Sequence, residues 1–193
     1  MPSTKERALD AAIELLGTEG VRALSHGRVD VKAGLPAGST SNWFRTRRSL
    51  LAGIVDWIAE HERDEFARAS LPGAVDARAL IDGLCALIEL QTGPLAVRTR
   101  ARYALFLELA ADPELGEPLR RQRLAFELWT EQLVAEAGIP DPVTSARALM
   151  ALGDGLIFHR LTVDPGLALR PVIERAVRAL AANDSGASLA KNR

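Results

Sequence analysis

Residues 24–51 read LSHGRVDVKAGLPAGSTSNWFRTRRSLL. The stretch holds two short helical candidates, 25–33 and 37–44, separated by Gly34-Leu35-Pro36 and followed at once by Arg45, Arg47 and Arg48. Two short helices joined by a tight turn containing Gly describe a helix-turn-helix. In that motif the second helix enters the DNA major groove while the first crosses the backbone. Ser25 suits the N-cap of the first helix, Val29 and Ala33 form its inward face at i, i+4, and Gly34 stops it. In the second helix Pro36 suits the entry and Thr40 and Phe44 fall inward. That leaves Ala37, Ser39, Ser41, Asn42 and Trp43 over the outward surface. Small and amide side chains on an exposed helix let the backbone come close to a groove; a polar surface helix with no partner has the same pattern.

The net charge says little about the choice, and its distribution says more. Residues 22–50 carry six basic side chains and one acid, Asp30, a local charge of +5 within a chain of net charge −1. A basic patch on a mildly acidic protein is the footprint of a small module that meets phosphate, and equally the composition of a solvated face. With 193 residues, 48% hydrophobic and 25% charged, the chain has enough apolar residues for a packed core. The single cysteine, Cys85, excludes an internal disulfide and fits a reducing compartment. No apolar run reaches the ~18–20 residues that span a bilayer. The N-terminus lacks the apolar core of a signal peptide. The expectation is a cytoplasmic protein that does not enter the membrane.

Upstream, residues 4–17 read as a helix with Leu9, Ala12, Ile13 and Leu16 on one face. Ser3 or Thr4 caps its start, and Gly17 or Gly20 ends it. Downstream, residues 48–69 form a longer helix, within which the boundary between two modules falls. Leu71-Pro72-Gly73 breaks the chain after it. Asp76 caps a helix over 77–91, Thr92-Gly93-Pro94 separates it from one over 95–111, and Asp112-Pro113-Glu114 opens a long helix reaching 137. Asp141-Pro142 starts a helix over 143–163, and Asp164-Pro165 precedes a last one over 167–182. The reading is an all-α protein of about nine helices. Residues 1–47 form a three-helix helix-turn-helix domain, 48–183 a second helical domain, and 184–193 a flexible tail.

The segment GLPAGSTSNWFRTRRSLL, preceded by LSHGRVDVKAG and an amphipathic helix, resembles the TetR family of bacterial transcriptional regulators. The elements that carry the resemblance are the Ala33-Gly34-Leu35 turn, Gly38, the pair Trp43-Phe44, and the basic run opening the fourth helix. It implies a three-helix DNA-binding head and a larger helical domain that binds a small-molecule effector and forms a homodimer on double-stranded DNA, with no cofactor. The sequence departs from the family at Thr40 and Ser41, where Leu or Ile and then Tyr are common. It departs again at Pro36 and Ala37, where Ser and a basic residue are frequent. These departures bear on which operator is read.

The resemblance and the helix geometry together assign Ala37, Gly38, Ser39, Ser41, Asn42 and Trp43 to the groove. Asn42 suits adenine, whose N6 and N7 match an amide. Arg28 reaches a base edge or a phosphate. Ser25, His26 and Arg47 are assigned to the DNA backbone, whose contacts position a protein without reading sequence. Two alternatives stay open here: Trp43 partly beneath its helix, and His26 simply exposed. For the dimer, the last two helices offer Leu149, Leu152, Gly153, Leu156, Ile173, Val177 and Leu180. For an effector of apolar or amphipathic character, the candidates are Trp57, Leu84, Ile88, Tyr103, Phe106, Phe126, Trp129 and Asp154. The same aromatic stripes would also serve a core, and Asp154 suits either a pocket or the dimer interface.

An enzyme is the rival class. His26, His61 and His159 are dispersed, without the spacing of a helical metal site, and no phosphate-loop, nucleophile-elbow or dinucleotide motif occurs. Cys85 lies in an apolar stretch that suits an inert thiol. The function that the resemblance implies is a ligand-responsive regulator, most simply a repressor released from a palindromic operator. The alternative is a DNA-binding regulator controlled by a protein partner in place of a small molecule.

Overall fold

A computed structural model describes residues 2–68 and 75–182. Among these, nine α-helices follow one another: α1 (Thr4–Glu19), α2 (His26–Ala33), α3 (Ser39–Trp43), α4 (Arg47–Arg68), α5 (Ala77–Thr92), α6 (Ala96–Glu108), α7 (Glu117–Glu136), α8 (Pro142–Thr162) and α9 (Leu169–Ala181). Short 3-10 turns occupy Val21–Ala23 and Leu109–Ala111. No single helix among the described residues is long and apolar enough to cross a membrane. The Leu71-Pro72-Gly73 break and the tail at 184–193 lie outside the described residues.

The caps set the helix starts. Ser3 and Glu6 form a reciprocal capping box on α1, with the Ser3 N–H donating to Glu6 Oε2 at 2.6 Å. Asp76 accepts from the Ala79 N–H at 2.7 Å to open α5. Asp141 does the same for α8 from Thr144 at 3.3 Å, with Pro142 in the first turn. One expected start moves. Asp112 accepts from the Leu115 N–H at 3.1 Å, but what it caps is a single turn, closed by Gly116 N–H to Asp112 O at 3.1 Å. The regular helix α7 begins only at Glu117.

The chain divides into two compact units. The first holds residues 1–69 and 95–123, hence α1–α4, α6 and the first turns of α7. Packing thus groups α6 with the N-terminal helices, a division different from a linear one at residue 47. Its core joins Leu9, Ile13 and Leu16 of α1 to Val29, Phe44, Leu50, Ile54, Ile58 and Leu105. The sequence suggested a one-sided stripe on α1, but Ala8, Ala11, Leu15 and Gly17 are buried as well. The reason is that α6 covers a second side. It crosses so closely that a Cβ on Gly17 would stand 2.0 Å from the Val97 carbonyl oxygen, so only glycine fits there.

The second unit holds residues 70–94 and 124–193, hence α5, the rest of α7, α8 and α9. Leu80, Ile88, Val134, Leu149, Ile173 and Val177 are almost wholly removed from solvent and form its interior. Such burial contributes roughly 1.5–3 kcal/mol per large apolar side chain.

Candidate nucleic-acid interface

Helix α2 starts at Ser25, whose Oγ accepts from the Arg28 N–H at 3.4 Å. It ends at Gly34, which sits in the left-handed region at φ 61°. From α1, Arg7 closes this end by donating to the carbonyls of Ala33 (2.7 Å) and Gly34 (3.2 Å). A cation on the last carbonyls of a helix also meets the negative end of its dipole. The chain then turns through Pro36 and Gly38, and Gly38 takes φ 88°, a conformation that side chains rarely adopt. Only after this turn does α3 begin, at Ser39. The start expected at Ala37 shifts by two residues, because Gly38 at positive φ cannot belong to a right-handed helix.

The first polar anchor of α3 is Asp30. Its carboxylate is 2% exposed and accepts three hydrogen bonds: Gly38 N–H at 2.8 Å, Thr40 N–H at 2.8 Å and Thr40 Oγ1–H at 2.5 Å. Burial pushes its pKa up, but the Thr40 and Gly38 hydrogen bonds outweigh it and hold the carboxyl below its ordinary value. The other end of α3 is fixed by His26, whose Nε2–H donates to the Phe44 carbonyl at 2.6 Å. Five residues are too few for a helix to hold itself; these two anchors and the burial of Thr40 and Phe44 do it instead. The inward placement of Thr40 and Phe44 agrees with the sequence reading. Asp30 was missed; its one mark in the sequence is to be the lone acid in a basic stretch, which does not point to its partners.

The outward surface also agrees with the reading. Ala37, Gly38, Ser41, Asn42 and Trp43 are exposed, Trp43 at 56%, and Ser39 is half-buried. Trp43 therefore does not pack beneath its helix. Ser39 Oγ donates to Pro36 O and Ser41 Oγ to Gly38 O, which spends their protons and leaves acceptor lone pairs outward. The Asn42 amide makes no hydrogen bond among the described residues. Val31 of α2, 82% exposed, is an apolar side chain on the same module that sequence reasoning passed over.

The cations are less free than their count implied. Arg28 pairs with Glu19, and Lys32 with Glu14 at 2.6 Å. Arg48 pairs with Asp112 and, at 3.2 Å, with Glu114. Arg47 donates to the carbonyls of Leu24 (2.6 Å) and Val21 (3.0 Å), clamping the segment between α1 and α2 to the start of α4. Arg47 and His26 thus hold the frame, a job the sequence did not give them. Arg22 and Arg45 have no ion pair among the described residues. The +5 counted along the sequence is met by four carboxylates that folding brings beside it.

The other two candidate sets fare differently. Of the effector candidates, Trp57, Tyr103 and Phe106 belong to the first unit and Leu84, Ile88, Phe126, Trp129 and Asp154 to the second. Trp57 stacks on His61 at 3.5 Å, Arg102 lies 5.3 Å over the Tyr103 ring, and Phe126 and Trp129 meet at 5.5 Å. A cavity of about 470 Å³ in the second unit lies between Ala77, Ile81, Val177 and Ala181, with Arg78, Arg170, Glu174 and Arg178 also lining it. One of about 390 Å³ in the first unit is walled by Thr46, Arg48, Ser49, Ala52, Asp56, Glu114, Leu115 and Pro118. None of the eight candidates lines either. For the dimer, Leu149, Leu156, Ile173 and Val177 require correction. They are 1–7% exposed in the single chain, so they face its interior and have nothing left to offer a partner. Leu152, Gly153 and Leu180 stay partly accessible, while Ala148, Ala151, Gly155 and Phe158 of α8 face outward, Phe158 at 58%. Helix α8 is apolar on both sides, and periodicity drew candidates from both. Burial raises the pKa of the Cys85 thiol.

Residues 75–183, more than half of the chain, match the family model described as the tetracyclin repressor-like C-terminal domain. Among solved structures, the multidrug binding protein EbrR complexed with ethidium is 25% identical, with a TM-score of 0.67 over 93% of this chain and 99% of that one. A TetR-family member from Streptomyces coelicolor is also 25% identical, with a TM-score of 0.69 over 93% and 99%. A transcriptional regulator from Rhodococcus sp. Rha1, 23% identical over 93% and 94%, shares the fold at a TM-score of 0.72. No similar sequence was found among curated proteins. With a head built as a helix-turn-helix and a matched C-terminal domain, this chain belongs to the TetR family of transcriptional regulators.

Proposed function

We propose that the chain is a ligand-responsive repressor that binds a palindromic operator as a homodimer and is released by a small apolar or amphipathic effector. The observation that carries the reading is α3, a helix fixed at both ends whose free surface consists of Ser39, Ser41, Asn42 and Trp43. Asn42 reads an adenine, and Ala37 and Gly38 let the backbone approach. Ser25, Arg28, Arg22 and Arg45 meet phosphates, and Arg28 must first give up Glu19. One head offers few contacts, so two half-sites are needed. The second copy docks on the outward face of α8 around Leu152, Gly153, Gly155 and Phe158, with Leu180 of α9 beside it. The head comprises residues 1–47 and the effector and dimer domain 48–183.

The likeness to EbrR, solved with ethidium, supports an amphipathic effector. One observation favours a second reading, control by a protein partner: none of the eight effector candidates lines a described cavity. Selection from a random duplex library tests the DNA half, with a palindrome of half-sites about 34–36 Å apart, or a multiple of one turn, as the expected result. An unenriched library counts against it. Quenching of Trp57 and Trp129 emission by ethidium, measured without DNA, separates the two modes of control.

A further inference from the structure

We propose that Asp30 is a positioning residue for sequence reading: its buried carboxylate sets the pose of α3, and through it which bases Asn42 meets. This rests on the DNA-binding reading above. Asp30 sits in α2, the helix that braces, and touches no outward residue of α3. It acts through the Gly38 N–H, the Thr40 N–H and the Thr40 hydroxyl, at 2.8, 2.8 and 2.5 Å. These three donors lie at the last residue of the turn and in the first turn of the helix. They fix the turn at φ 88° and the direction in which α3 leaves it.

Three features make this a device for orientation and not only for stability. A carboxylate gripping two backbone N–H groups at fixed distances constrains rotation of a five-residue helix about its own axis, which a greasy contact does not, because apolar packing is not directional. Thr40 is wholly removed from solvent, so its hydroxyl bond to Asp30 is made where water does not compete for either group. Each end of α3 has its own polar anchor, Asp30 at the start and His26 at Phe44, so releasing one lets the helix pivot about the other. A pivot leaves the phosphate-facing cations Arg22 and Arg45 in place, since neither is on α3. Selectivity therefore falls while non-specific affinity holds.

The test measures binding of the full-length chain to two duplexes, the one enriched by the wild type and a scrambled duplex of the same composition. It compares wild type with Asp30→Asn, Thr40→Val and Thr40→Ser, with the thermal midpoint of each recorded. Asp30→Asn is expected to cut the ratio of selected to scrambled affinity by about ten-fold and Thr40→Val by about three-fold. Thr40→Ser, which keeps all three donors, restores the wild-type ratio. Partial unfolding cannot imitate this, because it lowers both affinities by the same factor and leaves the ratio unchanged. A ratio unaltered in Asp30→Asn, with selection intact in the wild type, overturns the proposal and spares the DNA-binding reading. A ratio equally low in Thr40→Ser and Thr40→Val also overturns it. A wild type that enriches nothing overturns both.

Discussion

The segment from Ser25 to Arg48 and the pair α8–α9 were read from sequence by the same rule, apolar residues at helical spacing, and fold by different means. The first is small and polar-anchored. Its helices have eight and five residues, and its shape is set by Asp30, His26, Arg7 and Arg47 gripping backbone atoms. The second is long and apolar. Helix α8 has 21 residues, and its interior is Leu149, Leu156, Ile173 and Val177 with their neighbours. Where the inward residues are few, the outward ones are plain, so Ala37, Ser41, Asn42 and Trp43 were placed correctly. Where a helix is apolar on two sides, spacing finds a stripe without saying which side faces the protein.

The sharpest way to break this comparison is Ile173→Ala. If Ile173 lies inside the chain, truncation leaves a cavity and costs about 2–5 kcal/mol of chain stability. Denaturant unfolding at several protein concentrations reads it. The expected loss is the same at every concentration. A loss that grows on dilution would return Ile173 to a surface between two copies. A smaller effect tests the polar side. Arg47→Ala removes two charged hydrogen bonds to carbonyls, each ordinarily worth ~1.5–3 kcal/mol. Arg47 is largely exposed and solvent competes for its guanidinium, so we expect a total of only about 1–2 kcal/mol. The dependence of DNA affinity on salt should keep its slope, because that slope counts phosphates neutralised and Arg47 is held by Leu24 and Val21. A slope that falls by about one charge would make Arg47 a phosphate contact.

How much could be read beforehand follows from the same contrast. The capping residues Ser3, Ser25, Asp76 and Asp141 were legible because a cap is a local event, decided within four residues. So were Thr40 and Phe44 as inward positions. Asp30 was not, since its three donors lie eight and ten residues away across a turn whose geometry depends on φ at Gly38. The neutralisation of the basic stretch was further out of reach. Asp112 and Glu114 stand 64 and 66 residues from Arg48, and only the packing of α6 into the first unit brings them near. Gly17 carries the same lesson in reverse. It looked like a helix end and is instead the point where α1 lets the Val97 backbone pass.

The smallest expected change in chain stability is at Gly155, and it decides the most about assembly. A Cβ there would meet nothing within 4 Å, the position is exposed, and the backbone is helical throughout. Glycine inside a helix costs roughly 0.5–1 kcal/mol relative to alanine, and a chain working alone gains nothing from that cost. A second copy approaching α8 would, because a missing side chain lets two backbones come close. Gly155→Leu should therefore leave the unfolding midpoint of the chain unchanged or slightly raised, while the dimer dissociation constant rises by on the order of ten-fold, about 1.4 kcal/mol. Sedimentation equilibrium reads the second quantity directly. If Gly155→Leu tightens or spares the dimer, the outward face of α8 is not where two copies meet, and the pairing surface must be sought away from Phe158. If it loosens the dimer while Ile173→Ala does not, the two sides of the α8–α9 layer are told apart by experiment as they are by burial.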